Sequence, residues 1–363
     1  MNKNRATVFM IMAAFILFPR VFIFAADPSG YPKRPAHERL KTSISKALDF
    51  LYTNQLPYGE FKTCASTNPQ MQGSCRFDSS LFITSFVLYS ISFVDDQKAN
   101  EMTKKALNFF LEEMEGPGVW RYWTSRNHKK IDPDLDDTAC VSYALKANNV
   151  PFKSNLETIL ANRNEAGIFY TWLIDSKEAN DIDCVVNADV LLYLGENENT
   201  KAACDYLNNI ILNGKEDNCG KYCISPDNFS FYYVFSRAYF NGVFCLAKSR
   251  DSIIDRIIPL QRSDGSFGSV LSTALAACTL LNLKYDGEQL TKAIEYIINS
   301  QAEDGSWQKQ AFYIGPNRVT VTREGEKLIF KLVPISAMPL PVLYYGSEEL
   351  TTAICIEALA KYQ

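Results

Sequence analysis

Histidine is nearly absent from this chain, with only His37 and His128 among 363 residues. There is no CxxC pair either, so a His/Cys zinc centre lacks ligands at usable spacing. Basic tracts are missing and the net charge is −4. The stripe of Lys and Arg that marks a nucleic-acid binder is therefore not there, and no nucleic-acid partner is expected. An uninterrupted bilayer span is missing too. The apolar run from Ala6 to Phe18 stops at Pro19 and Arg20, short of the ~20 residues a spanning helix needs. What the chain does have is globular material: 47% hydrophobic and 21% charged residues, with 23 Phe and 19 Tyr. That suffices for a large core.

The N-terminus has a signal-peptide layout. Lys3 and Arg5 precede the apolar run, and Ala25 and Ala26 stand before Asp27. Phe24 fits a cleavage site poorly, which keeps an uncleaved anchor open. Residues 1–26 are thus read as a signal peptide or N-terminal anchor, and residues 27–363 as one domain. The expected location is periplasmic or secreted, with residues 6–26 as the membrane tie if they are retained. Export permits disulfides. Cys64 and Cys75 flank a polar loop, Cys219 and Cys223 flank GKY, and both pairs read as loop staples. Cys140, Cys184, Cys278 and Cys355 sit in apolar helical runs and read as buried thiols.

An internal repeat organises the rest. Each unit is an amphipathic helix, a turn with Gly and an aromatic, and a more apolar second helix. Six units can be traced through Gly59, Gly118, Gly167, Gly220, Gly265 and Gly305. First helices carry one apolar stripe, as in Leu40, Ile44, Ala47, Leu48 and Leu51, or Leu290, Ile294, Ile297 and Ile298. Second helices, such as STALAACTLLNL, are apolar nearly all round and must be buried. The expected fold is all-α: a double-layered α/α toroid of about six helical hairpins, preferred over an open solenoid. All second helices then start at one mouth, where helix N-termini favour negative charge. Residues 318–333, RVTVTREGEKLIFKLV, alternate around Glu324-Gly325 and read as a β-hairpin insertion. It is either a lid over that mouth or a decorated loop.

Two turns, QRSDGSFG at Gln261–Gly268 and QAEDGSWQ at Gln301–Gln308, share Q-x-x-[DE]-G-S-[FW], and NRNEAGIF at Asn162–Phe169 is a weaker copy. Gly can take the left-handed conformation that ends a helix, the aromatic can pack across the hairpin, and Gln can bond the neighbouring helix end. DPDLDDTA at Asp132–Ala139 is the other sharp feature. The turns resemble the repeat of the terpenoid cyclase and protein prenyltransferase superfamily, whose members are α/α toroids. Asp134-Leu135-Asp136-Asp137-Thr138-Ala139 is similar to the D-x-D-D-T-A motif of its class II, squalene cyclase-like branch. The resemblance implies that Asp136 is a general acid protonating an alkene or epoxide, with Asp134 and Asp137 as supports. It implies a cyclase or mutase activity, of isomerase or lyase type. It also implies an isoprenoid-like small-molecule substrate or lipid, and no cofactor or metal. Peripheral membrane association is left open by such a substrate. The prenyltransferase Asp/Cys/His zinc set is not apparent, and no CGEQ-like thioester sequence occurs.

The chemistry is sound by itself. Crowded carboxylates raise the pKa of one, which keeps its proton, and aromatic faces can shelter a cation. The aromatics near the second-helix starts, Tyr122, Trp123, Tyr170 and Trp172, are candidate substrate contacts. So are Asp132, Asp181, Asp183 and Asn187. Asp and Thr at a helix start are also ordinary caps, which accounts for one Asp but not four acids within six residues. Asp78 reads as a cap. Asn187 and Asp189, inside VVNADVLLYL, need buried partners. They either tie inner helices together or line the pocket opposite Asp136. Two other functions stay open: an exported carbohydrate-active α/α barrel using paired carboxylates, and a non-catalytic toroid binding a lipid, peptide or protein at its acidic mouth.

Overall fold

The structure is a computed structural model that describes residues 35–363 apart from 74, 177, 221, 224–225 and 335–337. The segment 1–26 read as a signal or anchor lies outside the described residues. Among the described residues no helix is long and apolar enough to cross a membrane.

The helices alternate in character along the chain. The first of each pair are α1 (His37–Asn54), α3 (Gln97–Glu112), α5 (Leu156–Ala161), α7 (Lys201–Leu212), α9 (Arg250–Ile257) and α11 (Glu288–Asn299). The second are α2 (Phe82–Ile91), α4 (Leu135–Ala147), α6 (Cys184–Leu194), α8 (Phe229–Phe240), α10 (Val270–Asn282) and α12 (Glu348–Tyr362). In α3 only one face is buried, through Ala99, Met102, Ala106, Phe109 and Phe110. In α2 every residue is buried. A helix apolar all round must find neighbours on both flanks, and a ring provides them. α2 packs on α4, α4 on α6, α6 on α8, α8 on α10, α10 on α12, and α12 back on α2. The toroid is closed, as the repeat implies, and the solenoid is excluded.

Repeated clamps hold each hairpin to the next. Gln261 Nε2 donates to the Gly265 carbonyl at 3.0 Å and to the Gln289 carbonyl at 2.7 Å, on the following outer helix. Gln55 does the same to Gly59 and Met102. Gln301 reaches Gly305 and Ser43, which joins the last hairpin to the first. Gly305 has φ +90°, and a Cβ there would lie 2.3 Å from the Lys46 carbonyl oxygen of α1. Gly265, at φ +87°, would meet Lys292 O at 2.7 Å. The turn aromatic supplies a second clamp through its backbone N–H. Phe61 donates to Thr84 Oγ1, Trp120 to Thr138 Oγ1, Phe267 to Thr273 Oγ1 and Trp307 to Thr352 Oγ1, at 2.9–3.2 Å. Phe169 donates to Asn187 Oδ1 at 3.1 Å in the same way.

The disulfides are Cys64–Cys75, Cys184–Cys219 and Cys204–Cys245. Cys64–Cys75 is the staple expected. The Cys219–Cys223 staple is corrected: Cys219 joins Cys184, so Cys184 is not a buried thiol, and Cys223 is free. Folding of the ring sets the start of α6 beside the loop after α7, where Cys184 N donates to Cys219 O at 3.4 Å. Neighbours in sequence therefore lose to neighbours in space. Three disulfides fit an oxidising compartment.

The insertion is the expected hairpin. β5 (Val319–Glu324) pairs antiparallel with β6 (Lys327–Leu332), and β6 also pairs in parallel with β3 (Lys129–Lys130). The Phe330 ring lies 4.5 Å from that of Trp123, so the hairpin is docked beside the acidic mouth. A second sheet joins β1 (Cys64–Ser66), β2 (Arg76–Phe77), β4 (Tyr313–Ile314) and β7 (Tyr344–Gly346) in the order β2-β1-β7-β4. Strands of two or three residues carry no readable alternation, so this sheet is invisible in the sequence.

Candidate active site

The equivalence of the six hairpins sorts the acids at the mouth. Asp134 is the N-cap of α4, its Oδ1 accepting from Asp137 N at 2.8 Å. Asp183 holds the same place on α6, accepting from Val185 N at 2.7 Å. Ser269 and Ser347 do so on α10 and α12. Thr138 and Asn187, four residues after their caps, are clamp residues like Thr273. Capping and clamping therefore explain Asp134, Thr138, Asp183 and Asn187. They do not explain Asp136 and Asp137.

Asp136 and Asp137 face a cavity with Asp134. Tyr122, Trp172, Tyr222 and Tyr313 supply most of its walls, together with Phe82 and Ile131. About 510 Å³ of empty space lies between these walls, the opening included. Residues 313–316, which lead into the hairpin, form one side. It is thus this leading segment, rather than the strands of the hairpin, that lines the cavity. Tyr122 and Tyr313 share a hydrogen bond of 2.8 Å between their hydroxyls. Trp172 Nε1 donates to Tyr222 Oη at 3.3 Å.

Burial pushes all three motif carboxyls up. Asp134 rises to about 7, burial outweighing the hydrogen bonds it accepts from Asp137. Asp137 is driven well above the carboxylate range, first by burial and then by the neighbouring Asp134. Asp136 is also driven well above that range, by burial, then by Asp189, then by Asp134 and Asp137. It nevertheless keeps part of its surface open to the cavity. Asp134, Asp136, Asp137 and Asp189 each keep one buried oxygen without a hydrogen-bond partner among the described residues.

Behind Asp136 stands a buried ion pair. Asp189 of α6 is fully buried and pairs with Arg237 of α8, which is 2% exposed. Asp189 stands beside Asp136 and adds to the upward push on its carboxyl. The guanidinium is ringed by Phe86, Tyr89 and Tyr233, at 4.3, 5.0 and 5.8 Å from their centroids. Oxygens of Asp136 and Asp189 and the sulfur of Cys140 lie within 4.8 Å of one another, a spacing three metal ligands could share. Arg237 already pairs with Asp189 and lies 3.6 Å from Cys140 Sγ, so the positive charge that a metal would bring is in place. Sequence reasoning missed Arg237, Tyr222 and Tyr313. The signal for Arg237 was available: it is the lone charge in FSFYYVFSRAYF, as Asp189 is in its own apolar run.

The other expected contacts are scattered. Tyr122 and Trp172 line the cavity. Trp123 does not; its Nε1 donates to Asp78 at 3.1 Å beneath Phe330. Asp78 is not the cap expected: the N-cap position of α2 is Leu81, three residues on, and Asp78 is instead held by Lys129 Nζ and Asn127 Nδ2, from each of which it accepts at 2.7 Å. Asp132 and Tyr170 are half-buried and outside the cavity lining. Asp181 lies one wall away and accepts from Tyr222 Oη at 3.0 Å. Asp183 and Asn187, placed among the contacts by the sequence, are cap and clamp and do not line the cavity.

Comparisons bear on the fold. The model of the A-macroglobulin TED domain matches residues 18–190, although the chain has no CGEQ-like sequence. No curated protein matches. Among solved structures, a protein from Actinoplanes is similar at a TM-score of 0.64 and 14% identity, over 89% of this chain and 100% of that one. The type II terpene cyclase MstE from Scytonema is similar at a TM-score of 0.66 and 16% identity, over 89% and 98%. That cyclase is known with geranylgeranyl dihydroxybenzoate as substrate and merosterolic acid A as product. An unsaturated glucuronyl hydrolase from Streptococcus agalactiae is similar at 0.50 and 11%, over 91% and 93%. At these identities the likeness is one of fold, and the fold shared is the α/α toroid.

Proposed function

We propose that this chain is a class II terpenoid cyclase-like enzyme, an isomerase that begins cyclisation by protonating an isoprenoid, with Asp136 as the general acid. The observation that carries this reading is a carboxyl that burial and neighbouring acids push well above the carboxylate range, at the wall of an aromatic cavity.

Asp136 gives its proton to the less substituted carbon of a terminal alkene, leaving a tertiary cation. The next double bond attacks that cation and closes a ring, and proton loss from the final cation ends the reaction, so substrate and product are isomers. Asp134 and Asp137 are supports that crowd the acid and hold its proton until substrate arrives. Asp189, anchored by Arg237, accepts the hydrogen bond of Asp136 and orients it. Tyr122, Trp172, Tyr222 and Tyr313 offer π faces to the developing cation. Positioned general acids contribute roughly 10²–10⁴-fold to a rate, and the cavity walls must supply the remainder by folding the chain and excluding water. The apolar lining weighs against the carbohydrate reading, because sugars require hydrogen-bonding walls.

The test is incubation of the protein with squalene, polyprenyl alcohols and polyprenyl diphosphates, comparing wild type with Asp136→Asn. Cyclic isomers formed by wild type and lost in Asp136→Asn are expected. Products that survive the substitution, or unchanged substrates throughout, would sink the proposal.

A further inference from the structure

The acid cavity is small, and the aromatic side of it is fixed. All of its empty space, the opening included, comes to about 510 Å³. A hydrocarbon carbon with its hydrogens fills roughly the 30 Å³ that a water takes in the liquid. Beside the cavity the ring interior is already filled by Phe86, Tyr233 and Phe312, none of them exposed. Phe312 meets Phe86 edge-on at 5.2 Å, and Phe82 of the cavity lining lies 4.9 Å from Phe86 and 6.5 Å from Phe312. Tyr313 stands on the same side. Its ring is stacked on Tyr345 at 5.3 Å and met edge-on by Phe82 at 4.9 Å, and its hydroxyl is bonded to that of Tyr122. The main chain is held on both sides of it: Phe312 N donates to Tyr345 O and Ile314 N to Tyr222 O, each at 2.8 Å. Swinging this ring aside would break all of these contacts together, and a close-packed interior resists that.

We propose that the cavity holds no more than about fifteen carbons of an isoprenoid, that cyclisation therefore stops at two rings whatever the length of the chain, and that Tyr313 sets this limit. The ring count rests on the cyclase reading, whereas the size limit rests on the cavity alone. The alkene that Asp136 protonates and the next one close the first ring, and each later ring needs one further isoprene unit folded against the walls. Three units fill the space and give two rings. Any remaining units extend through the opening as an open chain, and proton loss from the bicyclic cation ends the reaction, so substrate and product remain isomers.

Binding and product structure test the two parts separately. Full-length Asp136→Asn is titrated with geraniol, farnesol and geranylgeraniol, following intrinsic tryptophan fluorescence, since Trp172 lines the cavity. One more buried isoprene unit should tighten binding by about tenfold or more, so farnesol should exceed geraniol by that factor, while geranylgeraniol should gain less than about threefold over farnesol because its extra unit stays in water. A gain from farnesol to geranylgeraniol as large as the first one overturns the limit, as does no gain at farnesol. Adding Tyr313→Ala to Asp136→Asn should restore the missing gain; if it stays missing, Tyr313 does not set the limit. Wild type should convert geranylgeraniol to a bicyclic isomer that keeps its allylic double bond in an open chain, identified by mass spectrometry and NMR. A tricyclic product overturns the inference and leaves the cyclase reading in place. A chain-length limit in binding, with no product from any isoprenoid, upholds the limit and removes the cyclase reading together with the ring count.

Discussion

Replacing Arg237 by Met tests the buried pair at the centre of the toroid. The side chain is 2% exposed and its partner Asp189 is fully buried. Removing one member of such a pair leaves an uncompensated charge, which typically costs about 3–5 kcal/mol. Met fills much of the same volume, so the loss of charge dominates over the loss of packing. Contacts with the rings of Phe86, Tyr89 and Tyr233 add to the loss, roughly 0.5–2 kcal/mol for a desolvated cation on an aromatic face. A loss of about 4 kcal/mol is therefore expected by urea unfolding at pH 7. The double variant Arg237→Met/Asp189→Leu should recover at least half of it, because an apolar pair of similar volume is about as stable as a buried ion pair. A single variant that loses under about 1 kcal/mol, or a double variant no more stable than the single one, would refute the pair as described.

Asp136→Asn should raise the melting temperature while abolishing cyclisation, because it removes one of four crowded carboxyls; a lower melting temperature would count against the crowding. Wild-type stability should fall as pH rises from about 4 to about 7, the window between the unfolded pKa of carboxyls and the folded values of about 7 for Asp134 and Glu60. Asp134 and Glu60 each contribute up to about −1.4 kcal/mol per pH unit across that window and nothing above it, so denaturant midpoints at pH 4.5 should exceed those at pH 7.5. Gly305→Ala forces φ +90° on a residue with a Cβ and drives that atom into Lys46 O, so a loss of about 1–3 kcal/mol or more is expected in the same unfolding assay. Thr138→Val leaves the Trp120 N–H without its acceptor and should cost about 1–3 kcal/mol, with the Asp136 chemistry retained wherever the protein stays folded.

Much of the site was legible because the hairpins repeat. Asp134, Asp136 and Asp137 stand out in DPDLDDTA by density alone, and α4 carries them to the mouth. The repeat also shows in hindsight why Thr138 belongs to the motif: it is a clamp, like Thr273 and Thr352, and Asn187 is its counterpart. That role could not be assigned from Asn187 itself, since a buried amide in an apolar run suits a pocket as well as a clamp. The disulfide error has the same origin. Cys219 and Cys223 are close in sequence, yet Cys184, 35 positions away, is the one placed against Cys219.

The sequence by itself determined the helical ring. The alternation of one-sided and all-round apolar helices leaves few ways to bury every face, and the turn residues repeat the joint between units. It also determined that acids gather at the starts of inner helices. Only the tertiary structure decided which acid faces the cavity and what stands behind it. Asp136 stands beside Asp189, which pairs with Arg237, because three successive inner helices turn these faces toward one another. Tyr222, Tyr313 and residues 314–316 reach the cavity from loops and short strands, whose positions depend on long-range pairing that no local pattern encodes.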